Sequence, residues 1–203
     1  MKYFKLFLSG SLFFLLCNMA IAQNSELGIG KPAPLADHKV EDISGRSLTL
    51  NSVKEQNGLL VIFSCNTCPW VVKWENRYLD LGTITKTSNI GMIALNPNER
   101  IRDKGESMED MKKRAKNKGY NFYYALDKDH ELADAFGATR TPHVFLFDKD
   151  MKLVYRGAID DNAADAGKVK QYYLKNAIDE LVAGKSVTES TTRSLGCTIK
   201  RIE

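Results

Sequence analysis

The feature that most limits what this chain can become is Leu59-Leu60-Val61-Ile62-Phe63-Ser64-Cys65-Asn66-Thr67-Cys68-Pro69-Trp70, an apolar run that stops at a Cys-x-x-Cys. Bounded by Asn57-Gly58 and followed by an amphipathic segment, the run predicts a buried parallel strand feeding a helix. The two cysteines then lie at the strand-to-helix junction. There, free N–H groups and the positive end of the helix dipole favour a thiolate, most of all at Cys65. The spacing lets the pair close into a disulfide and reopen, so that one sulfur attacks a partner disulfide and the other releases the product. A zinc site asks for four ligands, and past residue 22 the chain adds only Cys197, His38, His130 and His143 to the motif. The pattern points to redox chemistry with no metal and no cofactor; a metal-holding pair and an inert local disulfide are the competing readings.

The first residues set the compartment. Met1-Lys2-Tyr3-Phe4-Lys5 is followed by an apolar stretch from Leu6 to Ile21 and by Ala20-Ile21-Ala22. A basic start, a short apolar core and small residues before Gln23 predict a secretory signal peptide over residues 1–22. The stretch is interrupted by Ser9, Gly10, Ser11 and Asn18, which argues against a lasting membrane span. A periplasmic product is expected, with secretion and lipid anchoring at Cys17 as the alternatives; Phe14-Leu15-Leu16 lacks the small residue that lipid processing prefers. Cleavage removes Lys2 and Lys5, lowering the formal charge from +4 to +2, and the remaining charges are interspersed, which excludes a nucleic-acid footprint. Three cysteines survive in a compartment where disulfides persist, and Cys197 is the one left over.

Further along, Lys39–Ile43 and Ser47–Leu50 alternate about Ser44-Gly45-Arg46 and predict a hairpin. Residues 69–81 carry Trp70, Val71, Trp74, Tyr78 and Leu81 at helical spacing, with Gly82 as the stop. The two tryptophans read as core, with Trp70 also a candidate substrate platform. Asn89–Leu95 is a second buried strand. Ser107 and Asp110 start a helix over Met108–Lys118 that Gly119 ends, and Asp129 is the expected cap of a brief helix over His130–Phe136. Thr141-Pro142 precedes a strand over His143–Phe147, paired across Asp148-Lys149-Asp150 with Met151–Arg156; Pro142 is a plausible cis position. A long amphipathic helix is expected over Asn162–Val182, followed by a polar tail over 185–203 that holds Cys197.

In this order of elements the chain resembles the thioredoxin fold. Gly30-Lys31-Pro32-Ala33-Pro34 with the Gly45 hairpin, the insert from Asn96 to Asp127, and Gly137-Ala138-Thr139-Arg140-Thr141-Pro142 resemble the redoxin branch more narrowly. That branch contains the alkyl hydroperoxide reductase/thiol-specific antioxidant superfamily and the exported thioredoxin-like proteins of cytochrome maturation. The resemblance covers residues 28–184 and implies an α/β fold: a central mixed sheet flanked by helices, with an N-terminal hairpin and a central insert, in one domain over 23–184. It also implies that Cys65 attacks, that Cys68 resolves, and that Pro142 is a cis-proline beside which an extended substrate pairs in strand-addition fashion. Thr141, Pro142, His143 and Trp70 are then the candidate substrate contacts, and Glu99 matches the acidic residue that some exported members hold near the cysteines for proton transfer. Ser64 departs from the family's usual tryptophan, and no acid lies in 59–63 where thioredoxins bury an aspartate.

The expected function is an exported thiol–disulfide oxidoreductase exchanging with protein thiols or disulfides, served by an upstream electron donor or acceptor. Thiol peroxidase is the alternative. Against it, Ile62 stands where peroxiredoxins carry Thr or Ser, though Arg140 is placed to stabilise an anion. The third reading is a non-enzymatic metal-binding or redox-sensing module. Cys197 is a candidate third thiol that reaches the site and forms an alternative disulfide, or else a free tail thiol.

Overall fold

The computed structural model describes residues 25–203, so the expected signal peptide lies outside the described residues. In chain order the elements are β1 (Val40–Asp42), β2 (Ser47–Leu48), α1 (Leu50–Val53), β3 (Gly58–Phe63), α2 (Pro69–Trp74), α3 (Tyr78–Thr87), β4 (Ile90–Asn96) and α4 (Met108–Lys118). They continue with β5 (Tyr123–Leu126), α5 (Glu131–Ala135), β6 (Arg140–Thr141), β7 (His143–Phe147), β8 (Leu153–Gly157), α6 (Tyr173–Val182) and β9 (Cys197–Thr198). Seven strands form one mixed sheet in the order β2-β1-β5-β4-β3-β7-β8, and β6 pairs with β9 in a separate ribbon.

The apolar run 59–63 forms the centre of that sheet, parallel to β4 on one side and antiparallel to β7 on the other. Because side chains alternate along a strand, Leu59, Val61 and Phe63 point to one face, against Leu50 and Val53 of α1 and Leu132 and Ala133 of α5. Leu60 and Ile62 point to the other, against α2, α3 and α6. A strand buried on both faces has no polar positions, which is why its sequence reads as continuous rather than alternating. On the first face Phe63, Phe136, Phe145 and Phe147 meet edge to face, with centroids 5.2 to 5.7 Å apart. Close packing also fixes Gly91 in β4, where a Cβ would collide with the backbone carbonyl of Val53.

Several expected elements form as read. The first hairpin turns at Gly45 with φ +82°, and the α4 capping box is present, Ser107 and Asp110 each bonding the other's backbone N–H. Gly119 closes α4 at φ +68°. Three expectations are corrected. Gly82 does not stop the helix begun at Pro69: after a 3-10 turn over Glu75–Arg77 the chain continues as α3 through it, and the missing side chain leaves room for Asn121. The long helix expected from Asn162 begins only at Tyr173. The cap near α5 is Asp127 rather than Asp129; its carboxylate accepts from the backbone N–H groups of Leu132 and Ala133, each at 2.9 Å.

The tail read as a polar appendage is woven into the sheet edge. Thr191 bridges Arg156 in parallel, Thr192 Oγ1 contacts the Tyr155 hydroxyl at 2.7 Å and accepts from the Ala158 N–H at 3.0 Å, and Ile199 is buried in the first core. This path carries Cys197 back across the molecule to the cysteine motif.

Candidate active site

The site lies where β3 ends and α2 begins. Ser64 leaves the strand with its N–H donating to Leu95 O at 2.8 Å and its hydroxyl 3.1 Å from that of Tyr78. Pro69 occupies the first turn of α2, where an N–H would have no helical partner. The loop between is held by Glu106, which is fully buried. Its carboxylate accepts from Asn66 N (2.8 Å), Thr67 N (2.9 Å), Thr67 Oγ1 (2.6 Å) and Asn96 Nδ2 (2.7 Å). Asn66 also donates to Gly105 O and accepts from the Tyr124 hydroxyl at 2.9 Å. The loop is therefore clamped to the segment that leads into α4. Sequence reasoning missed Glu106; the available signal was its position directly before the Ser107 cap, inside the insert flagged as family-specific.

Cys68 and Cys197 form a disulfide across 129 residues of chain, with Cα atoms 6.1 Å apart, and Cys65 is the free thiol. Both motif cysteines reach Thr141: Cys65 Sγ lies 3.2 Å from Thr141 Oγ1, and Cys68 Sγ lies 3.3 Å from Thr141 O. The Thr141-Pro142 peptide is cis. Cys65 and Cys68 are buried, whereas Cys197 is half-buried.

The expected low-pKa thiolate is not what this arrangement makes. Burial pushes the Cys65 thiol up to about 12; the Glu106 carboxylate pushes the same way, against hydrogen bonds from the Thr141 hydroxyl and the Cys68 N–H. With the tail bound, Cys65 is a protonated thiol at neutral pH.

The other expected residues separate. His143 is buried in β7 with its ring on Phe145, centroids 4.5 Å apart, and Nε2 4.0 Å from Glu26. Burial, with Arg156 and Arg140 adding to it, lowers its pKa to about 3, so it is a neutral sheet residue shut off from solvent. Glu99 does not approach the sulfurs in any contact the structure forms. It pairs with Arg102 at 3.0 Å and accepts from Asp129 N at 3.2 Å; burial raises its pKa, but Arg102 and that N–H outweigh burial and hold it below the usual range. Trp74 is core, while Trp70, two residues past Cys68, is half-buried with Lys73 Nζ 4.7 Å from its ring. Arg140 donates to Gly196 O at 3.1 Å, so the tail occupies the group expected to stabilise an anion.

Among the described residues no three His, Cys, Asp or Glu side chains converge as metal ligands. A cavity of about 660 Å³ opens beside Val53, Gly82, Met92 and Tyr120, at the opposite end of β4 from the sulfurs, and holds none of the residues named above as chemical.

The profile of the AhpC/TSA family matches residues 29–156. The chain belongs to that family. Its relatives include the thiol–disulfide oxidoreductase ResA of Bacillus thuringiensis, 28% identical over 151 residues, which are 73% of this chain and 80% of that protein. A solved hypothetical protein from Sinorhizobium meliloti is 32% identical and superposes with a TM-score of 0.80 over 88% of this chain and 97% of that one. The thioredoxin domain of a thiol–disulfide oxidoreductase from Bacteroides vulgatus shares the fold, with a TM-score of 0.54 at 23% identity over 66% of this chain and 90% of that one. The expected fold is thus the observed one, and the chain stands among the thioredoxin-like thiol–disulfide oxidoreductases of its family.

Proposed function

We propose that the chain is exported and exchanges disulfides with protein substrates through Cys65 and Cys68, with Cys197 as a third sulfur in the same exchange set. The observation that carries this reading is the meeting of all three cysteines at Thr141: a disulfide between Cys68 and Cys197, with the free Cys65 thiol on the Thr141 hydroxyl. Such a set moves a disulfide without an outside reagent. When the Cys65 sulfur attacks Cys68, the Cys65–Cys68 bond forms, the Cys68–Cys197 bond breaks, and Cys197 leaves with the proton that Cys65 gives up. No electrons enter or leave in that step. A substrate dithiol then reduces the Cys65–Cys68 bond and leaves as a disulfide, or, run backward, the dithiol reduces a substrate disulfide and is restored by a donor. Export is supported by residues 1–22 of the sequence, and among the described residues no helix is long and apolar enough to cross a membrane.

Peroxidase chemistry finds less support, since Ile62 stands where peroxiredoxins carry Thr or Ser and the Arg140 guanidinium already donates to the tail at Gly196 O. The test is equilibration of the residue 23–203 protein in graded glutathione buffers, alkylation of free thiols and mapping by mass spectrometry. Exchange predicts that Cys68–Cys197 and Cys65–Cys68 both appear as linked species, and that Cys197→Ser leaves Cys65–Cys68 alone. A Cys68–Cys197 bond that never exchanges at any glutathione ratio makes it a structural staple and removes the proposal.

A further inference from the structure

β9 occupies a peptide groove. Thr141 stands opposite Cys197 and Arg140 opposite Thr198 in antiparallel register. The pairing continues past the strand: Ile199 N donates to Thr139 O at 3.1 Å, Lys200 N to Asn98 Oδ1 at 2.9 Å, and Arg100 N to Lys200 O at 3.0 Å. Residues 197–200 therefore lie extended between the 98–100 turn and the 139–141 segment, bonded on both sides. Backbone bonds of this kind accept any sequence, so selectivity comes from the side chains that the groove buries.

Three positions are constrained. Gly196 sits against the Thr141 carbonyl and the Pro142 nitrogen, where a Cβ has no room. Cys197 faces inward to Cys68, and Ile199, two positions on and so on the same face, is 3% exposed within the first hydrophobic core. Thr198, between them, faces solvent. The imprint left by the tail is Gly-Cys-x-aliphatic.

We infer that Gly196–Ile199 is an internal stand-in for substrate, and that the groove it fills accepts extended segments of partner proteins that carry glycine directly before the reacting cysteine and an aliphatic residue two positions after it. This rests on the exchange reading above and adds the substrate class to it. The sequence of bonds is symmetrical. Cys65 attacks Cys68 and expels Cys197, and the tail leaves the groove. The partner segment takes its place, and its thiolate attacks Cys68 from the position Cys197 held. The Cys65–Cys68 bond breaks, Cys65 recovers a proton, and a Cys68–partner disulfide stands where Cys68–Cys197 stood. A second thiol of the partner then attacks the partner's own cysteine, so the partner leaves oxidised by two electrons and Cys68 takes up the second thiol's proton.

The experiment uses the oxidised residue 23–203 protein and four synthetic thiol peptides: Ser-Leu-Gly-Cys-Thr-Ile-Lys, the same with Gly replaced by Ala, the same with Ile replaced by Ser, and a scramble. Reduced glutathione serves as a small-thiol control, and adducts are mapped by mass spectrometry. The parent peptide is expected to form the Cys68 adduct about tenfold faster than the Ala and Ser peptides or the scramble, the scale of a steric or burial defect. In the protein, Gly196→Ala is expected to shift the resting population from Cys68–Cys197 toward Cys65–Cys68. Glutathione adducts with equal rates for all four peptides would overturn the groove's selectivity and leave the exchange function standing. Peptide adducts on Cys197 rather than Cys68 would overturn the stand-in role. No adduct with glutathione or any peptide would overturn the exchange reading and this inference together.

Discussion

At the residue scale, the chemistry turns on what surrounds one thiol. Cys65 is buried near the Glu106 carboxylate and against the Thr141 hydroxyl, and burial raises its pKa from about 9 to about 12. A group whose folded pKa is raised contributes stability that is present below the unfolded value and is lost as pH climbs to the folded one. The stability difference between the wild type and Cys65→Ala should therefore fall from pH 9 upward, by about 1.4 kcal/mol per pH unit, in denaturant titrations at pH 8, 9, 10 and 11. A pH-independent difference would mean that Cys65 ionises in place. Glu106→Gln tests the second cause. The amide sets an N–H₂ against donors that the carboxylate satisfies, at a cost of about 2–4 kcal/mol, while removing the negative charge lowers the Cys65 pKa. The denaturation midpoint and the pH midpoint of Cys65 alkylation are both expected to drop. The cysteines were legible because their spacing is local. Glu106 was not, because its importance lies in four donors, among them the N–H groups of Asn66 and Thr67, that no periodicity reports, and Glu99 took its place in the sequence reading for its position alone.

At the element scale, the strands were read well and the helix limits less so. A doubly buried strand such as β3 announces itself through a run of aliphatics, whereas a helix ends where local bonds compete with its own. In 162–172 the Asn162 side chain accepts from the N–H groups of Ala164 and Asp165, the Asp165 side chain accepts from Gly167, and Asp161 accepts from Lys170. These side-chain-to-backbone bonds hold turns where an apolar pattern predicts helix. Conversely, Gly82 was read as a terminator, yet α3 runs through it because Asn121 packs where a side chain would stand. The Ser107 cap was legible, and its placement bears on the site: it anchors the start of α4 directly after Glu106. Ser107→Ala should lower stability by about 1 kcal/mol. It should also speed amide exchange at Asn66 and Thr67, whose N–H groups bond the adjacent carboxylate. Exchange there at the wild-type rate would show that the carboxylate is held without the cap.

At the scale of the whole molecule, the tail converts a thioredoxin-like sheet into a closed ring of chain. Its sequence carried no period because its partners lie in β6, β8 and the 98–100 turn rather than within itself, so only Cys197 betrayed a destination. The Cys68–Cys197 bond closes a loop of 129 residues, and restricting an unfolded loop of that length contributes about 4–5 kcal/mol in the chain-entropy description. Cys197→Ser transfers the disulfide to Cys65–Cys68, which closes almost no loop, so the variant should unfold at lower denaturant by about 2–4 kcal/mol although it still contains one disulfide. Reductant should lower the wild type to the same level and leave the variant little changed. The comparison separates the cross-link from the contacts of the tail: Ile199 in the core, Arg201 on Asp134 at 2.6 Å and Thr192 under Tyr155 remain available in the variant. If those contacts hold the tail alone, protease resistance of residues 185–203 survives Cys197→Ser. If the cross-link holds it, the tail is cut first, and the redox state of Cys68 decides whether the groove beside Thr141 is open or filled.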